Sequence, residues 1–316
     1  MRLLLFISAG AVALHAAPVT ALRFSPDGDH LLISRPRAIE VRAADGKAQP
    51  RRIPCQFDKV LALAFDPAGK TLAVTGGTPG DVGGVHLLDW PTGKLRGKWN
   101  VFDDVATCVA FNVKGQLVAG SASGLLVQLD LRREERVAHW FDSHTKAARA
   151  VAFLPDGKQF VSVGADATVK LWAMDTKRPM RTLAYHGGAV HALAMRPFLG
   201  RIPLSELVVC ATSSDDRTVR VWQPVRGRMV RIVRGHAGPV HAVEYSEDGR
   251  RMISIGREGV GRVIDAESDR VLHQWTAHRD WVYALAIGPK NQIATGDWRG
   301  EVKMWQLKGD KVLKAD

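Results

Sequence analysis

Cysteine is scarce in this chain: three in 316 residues. Cys55, Cys108 and Cys210 stand far apart, with no CxxC pair and no metal-ligand spacing. That excludes a dense disulfide framework, and no zinc or iron–sulfur site is expected. Long apolar runs are also missing. Only Leu3–Leu14 raises a membrane question, so a multi-span membrane protein is excluded and no transmembrane span is expected in the mature chain. No stretch carries helical periodicity. GxSxG, HExxH, Walker-type and GxGxxG patterns are absent, and GSASG at Gly120–Gly124 has Ala122 where a nucleophile would stand. No cofactor is therefore expected. With 46% hydrophobic residues, wholesale disorder is excluded as well.

What the chain does have is repetition. LRFSPDG at Leu22–Gly28 returns as LAFDPAG at Leu63–Gly69, VAFNVKG at Val109–Gly115 and VAFLPDG at Val151–Gly157. LAMRP (Leu193–Pro197), VEYSEDG (Val243–Gly249) and LAIGPKN (Leu285–Asn291) continue the series. The anchors Phe24, Phe65, Phe111, Phe153, Met195, Tyr245 and Ile287 are separated by 41, 46, 42, 42, 50 and 42 residues. In each unit an alternating strand runs into a turn, and a second strand follows. A third ends on a large residue, as in VKLW, VRVW and VKMW, and a fourth is more polar. Four short strands repeated seven times predict an all-β chain: a seven-bladed β-propeller of four-stranded antiparallel blades.

These residues resemble the WD-repeat family over nearly all of Val19–Asp316, in the manner of an exported, bacterial-type WD-repeat protein. The resemblance implies a His, a Ser or Thr, an Asp and a Trp bonded to one another within a blade. His144, Ser162, Asp166 and Trp172 supply one full set; His186, Thr212, Asp216 and Trp222 supply another. The last blade keeps His278, Thr295 and Trp305 but has Arg299 at the Asp position. The sixth keeps His236 and Ser254 but has Glu258 and Ile264, and the third has Ser123 and Leu129. Because the sets recur at matching offsets, they read as structural rather than catalytic.

Residues 1–16 (MRLLLFISAGAVALHA) resemble a secretory signal peptide, although cleavage after Ala16 leaves Leu14 at the third position before the cut. The competing reading makes this segment the outermost strand of the last blade, since His15–Val19 aligns with His236–Val240. Lys311-Val312-Leu313-Lys314 is a second claimant to that slot. The expectation is therefore a leader at 1–16, a propeller at 17–316 and an exported protein, periplasmic or secreted; cytoplasmic residence is the alternative.

By the same resemblance, the starts of the first strands and the residues just before each tetrad Asp share one face of the disc. Arg149, His191, Asp215, Pro239, His241, Arg257, Trp281, Tyr283 and Trp298 map there. A protein or peptide partner is expected on that face, since aromatics with Arg dominate desolvated interfaces. The glycine-rich segment Gly76–Gly84 is read as a surface loop of the same face, and Phe198–Glu206 as an insertion on the opposite one. The net charge of +12 falls on outer strands of different blades, as Arg51-Arg52, Arg132-Arg133 and Arg226–Arg234. That protects sheet edges rather than tracking a nucleic acid, so no specific nucleic-acid binding is expected. The function expected is a non-catalytic scaffold. The alternatives are an enzyme with its site in the central channel and a cytosolic scaffold in a nucleic-acid-associated complex. Nothing in the sequence specifies the oligomeric state.

Overall fold

The computed structural model describes residues 17–132, 137–197 and 208–315. Among them are seven four-stranded sheets, each an antiparallel meander in chain order. The blades cover 22–54, 59–102, 106–141, 148–183, 190–233, 240–276 and 282–314. One 3₁₀ turn, Pro289–Asn291, is the sole helical element among the described residues. The expected propeller is what forms.

Each blade follows from its repeat. In the fourth, Ala148–Phe153 pairs with Gln159–Gly164, which pairs with Val169–Ala173 and then Arg181–Leu183. The turn after Phe153 closes by donation of the Gly157 N–H to the Leu154 carbonyl at 2.9 Å, with Gly157 at φ 64°, where a side chain would be strained. The second strand is the most buried, since blades cover it on both faces: Phe160, Val161, Ser162 and Val163 are all inaccessible.

The hydrophobic core is divided into seven clusters, one at each seam between neighbouring blades. Between the third and fourth, for example, Cys108, Leu126 and Phe141 meet Val151, Phe160 and Trp172. Fully burying one such large side chain contributes about 1.5–3 kcal/mol. Cys108 and Cys210 behave as small core residues, with burial pushing both thiols up to about 12.

Among the described residues the ring closes by packing rather than by a shared strand. Val19, Leu22, Phe24 and Ile33 of the first blade meet Ala284, Ala286 and Ala294 of the last. The Val19 N–H donates to the Asp297 carbonyl at 3.1 Å, and Arg35 donates to the Gly300 carbonyl at 3.0 Å. The outermost slot of the last blade is filled by Lys311–Lys314, in register with Trp305–Lys308.

Gly76–Gly84 corrects the sequence reading. It is a long hairpin, in which Thr71–Thr78 pairs with Val82–Asp89 and Gly76 and Gly77 face Gly84 and Gly83. These glycines serve close backbone approach. A Cβ on Gly76 would lie 1.9 Å from the Lys59 carbonyl oxygen, and one on Gly83 2.0 Å from that of Asp104. Glycine-rich sequence read as a turn signal here marks strands too crowded for any side chain. The Phe198–Glu206 insertion lies outside the described residues.

Candidate functional site

A hydrogen-bond chain braces the turn after the second strand in four blades. In the fourth, His144 donates from Nδ1 to Asp166 at 2.9 Å, and the carboxylate, which only accepts, fixes that tautomer. Ser162 then donates to His144 Nε2 at 2.7 Å and accepts from Trp172 Nε1 at 2.8 Å. His186, Asp216, Thr212 and Trp222 repeat this at 2.8 Å throughout. Ser162 and Thr212 are fully buried behind their tryptophans, so no substrate reaches these Ser/Thr–His–Asp sets.

The two imperfect sets complete themselves differently. Arg299 does stand at the Asp position of the last blade, but it turns outward to Asp280 at 2.8 Å. Asp297 and Glu301 take the acid's place, 3.2 and 3.3 Å from His278 Nδ1. In the sixth blade Glu258 does accept from His236 at 2.7 Å, and Arg262 lies against both. In the third, Ser123 pairs with Ser121 at 2.8 Å.

These networks make stability depend on pH. Burial, reinforced by the Arg262 charge, pushes His236 down to about 4; burial likewise pushes His86 to about 4. Burial alone would raise Asp166 and Asp216, but hydrogen bonds from the histidines and from Thr168 and Thr218 outweigh it and hold both well below the carboxylate range. A histidine with a lowered folded pKa contributes stability that is complete above its unfolded value of about 6.5 and is lost as pH falls from there toward 4. The aspartates add a second loss below about 3.8. The melting temperature, followed by circular dichroism, is therefore expected to be level above pH 7, to fall between 6.5 and 4, and to fall again below 4. A level profile down to pH 4 would contradict this.

The braced turns present one face. The residue before each tetrad-acid position donates its N–H to the loop ahead of the first strand: Asp215 to Ala189 at 3.0 Å, Arg257 to Pro239 at 2.9 Å, Trp298 to Trp281 at 2.8 Å. Beyond that loop the first strand slips register by one residue. The skipped residues are Leu61, Thr107, Arg149, His191, His241 and Tyr283 in blades two to seven. A bulge re-aims its side chain, and here all six, with Thr20, surround a cavity of about 190 Å³ at the mouth of the central channel. Arg149, His191, His241 and Tyr283 were legible in the sequence; Thr20, Leu61 and Thr107 were not singled out. All seven lie four residues before a repeat anchor, a constant offset that would have found them.

One arc of this rim is aromatic. His191 meets His241 edge-on at 5.2 Å, and His241 stacks on Tyr283 at 4.7 Å. Trp298 lies 5.8 Å from Tyr283 and 6.4 Å from Trp281, and the Arg257 guanidinium sits 4.0 Å over the Trp281 ring. Trp281 and Trp298 are nonetheless 38% and 51% exposed. Burial keeps His241 below the usual histidine range, and it donates from Nδ1 to the Val282 carbonyl at 2.9 Å. Beside the arc, Trp298 and Tyr283 wall a cavity of about 470 Å³, completed by Pro18, Pro36, Val60 and Leu61, with Asp58 and Lys59 at its edge. Those first- and second-blade contributions were missed, because blades one and two lack the residue set that locates a face. Arg149 lines the channel mouth in the same cavity as His191, His241 and Tyr283.

Deeper in the channel, Arg23 and Glu244 are part of the wall. Burial raises the Glu244 carboxyl to about 7, against the opposing charge of Arg23. Among the described residues lining this deeper part Glu244 is the one carboxylate.

Comparison with known proteins agrees with this geometry. The model of the WD domain, G-beta repeat, matches residues 135–173, 177–223 and 269–306. Each match ends on the tryptophan-bearing third strand of the fourth, fifth or seventh blade. The chain is 24% identical to pre-mRNA-processing factor 17 of Saccharomyces cerevisiae over 64% of its own length and 44% of that protein's. It is 31% identical to the E3 ubiquitin-protein ligase COP1 of Pisum sativum over 34% of this chain and 16% of the ligase. A WD repeat-containing protein 55 homolog of Drosophila ananassae is 36% identical over 21% of this chain and 14% of its own. The chain thus spans less than half the length of each of these relatives. No helix among the described residues is long and apolar enough to cross a membrane. The chain is a seven-bladed propeller in which three stretches match the WD-repeat model.

Proposed function

We propose that this propeller is a non-catalytic scaffold that binds a protein or peptide on the face bearing Trp281, Tyr283 and Trp298. The observation that carries this is the pair of half-exposed tryptophans beside a 470 Å³ largely apolar cavity. Exposed tryptophan set against a pocket is the arrangement that dominates binding energy at interfaces. An apolar partner side chain would enter the cavity, and Asp58 and Lys59 would meet polar groups at its rim. The tetrads hold the loops in place beforehand, so little ordering entropy opposes association. Arg257, already stacked on Trp281, supplies the charged donor.

Hydrogen exchange on the complex with the co-purified partner tests the face. Slowed exchange is expected at 279–283, 297–299 and 257–259, with the outer strands unchanged. Protection confined to the outer strands would place the interface elsewhere.

Relatives that include a pre-mRNA-processing factor support a second reading, a scaffold within a nucleic-acid-associated assembly. The spread of Arg51, Arg52 and Arg228 over outer strands of separate blades favours the protein-binding reading. We further propose export. The apolar residues 1–16 support it, as does the filling of the last blade's outer slot by Lys311–Lys314. Amino-terminal sequencing of the native protein is expected to begin near Ala17; an intact Met1 would contradict it.

A further inference from the structure

We propose that His191, Asp215 and His241 form a binding site for a divalent transition metal of the zinc class at the mouth of the channel. Their ligand atoms lie within 4.8 Å of one another. His191 Nε2 and Asp215 Oδ1 are already 2.7 Å apart. Bonds of about 2.0–2.2 Å to a tetrahedral centre space its ligand atoms roughly 3.3 Å apart, so side-chain rotation of an ångström or so assembles the set. Two imidazoles and one carboxylate suit zinc, cobalt or nickel rather than magnesium or calcium, which prefer all-oxygen shells.

The surroundings orient these ligands as a metal site requires. His241 donates its Nδ1 proton to the Val282 carbonyl at 2.9 Å, which leaves Nε2 as the lone-pair donor. Asp215 is fixed from both sides. Its N–H donates to Ala189, and its neighbour Asp216 is anchored by His186. Ser214 donates to the Gly188 carbonyl at 3.1 Å, and a Cβ on Gly188 would come within 2.9 Å of Asp215 Cβ, so glycine keeps that space open. His191 and His241 are bulge residues of adjacent blades, aimed at the same cavity of about 190 Å³. Three protein ligands leave a position open toward that cavity for water or an anion, with Arg149 on the same rim. The ligands are 24 and 26 residues apart and come from two blades, so no sequence spacing discloses them. The other His–acid group, His278 with Asp297 and Glu301, is spent on the last blade's network.

The test titrates the chelator-stripped full chain with Zn²⁺ by calorimetry and with Co²⁺ by visible absorption. One ion per chain at this site is expected. His191→Ala and His241→Ala should each weaken it by tenfold or more, with unchanged circular dichroism. Asp215→Asn, at a half-exposed turn position, should weaken it likewise and covers the case in which a histidine variant misfolds. Absence of Zn²⁺ binding would overturn the proposal, as would affinity unchanged in all three variants.

Discussion

Trp172→Ala is expected to lower the free energy of unfolding by about 3–5 kcal/mol, a large fraction of the roughly 5–15 kcal/mol available to a domain. Trp172 is fully buried, stacked on Phe160 at 5.9 Å and edge-on to Phe141 at 5.7 Å, at the seam between the third and fourth blades. Removing the indole leaves a cavity there and takes the donor from Ser162 Oγ at the same time. Trp172→Phe separates the two effects. It keeps much of the packing and loses the N–H, so a smaller cost of about 1–3 kcal/mol is expected. Midpoints of urea unfolding for the two variants and the natural chain check this. Equal losses would mean that the hydrogen bond, not the packing, holds the blade.

The sixth blade shows how the same position is managed without tryptophan. Ile264 is fully buried in its place, and the polar set is closed from the other side by Arg262, itself buried against His236 and Glu258. The blade therefore loses the indole N–H donor to the serine, while Arg262 braces the His236–Glu258 end of the set and the Gly235 carbonyl. This explains how the fold tolerates blades whose sets depart from the repeat, since each also rests on its neighbours.

The fold was legible because the strand–turn phrase recurs at a nearly constant interval, and that phrase depends on local turn chemistry and alternation. The tetrads of the fourth and fifth blades were legible for the same reason. What escaped depended on backbone geometry. Asp297 lies two residues before the vacant Asp position, yet the turn brings it to His278, a displacement that residue types do not encode. The glycines of 76–84 read as a surface loop, whereas the carbonyls of Lys59 and Asp104 exclude a Cβ at Gly76 and Gly83. His191 and His241 could be placed on the face, but the bulges that turn them toward one cavity show in the sequence only as a constant offset from the anchors. Of the rim, the fourth to seventh blades could be read and the first three could not, since only the former carry most of the set that marks the face.

The exposed pair Trp281 and Trp298 carries the second large effect. Both loops are tied down independently of the indoles: the Trp281 N–H donates to Asp280 at 2.8 Å, and the Trp298 N–H to the Trp281 carbonyl at 2.8 Å. Truncating the side chains therefore removes contact surface and leaves the backbone of the face in place, with a small effect on folding. Each is expected to behave as a hot spot, costing about 2 kcal/mol or more in binding, or roughly thirtyfold in affinity. The most direct measurement is the dissociation constant of the co-purified partner for the natural chain, for Trp281→Ala and Trp298→Ala, and for Trp140→Ala, an exposed tryptophan on the outer strand of the third blade. Roughly thirtyfold weaker binding is expected for each face variant and no change for Trp140→Ala. Undiminished binding by both face variants would contradict it.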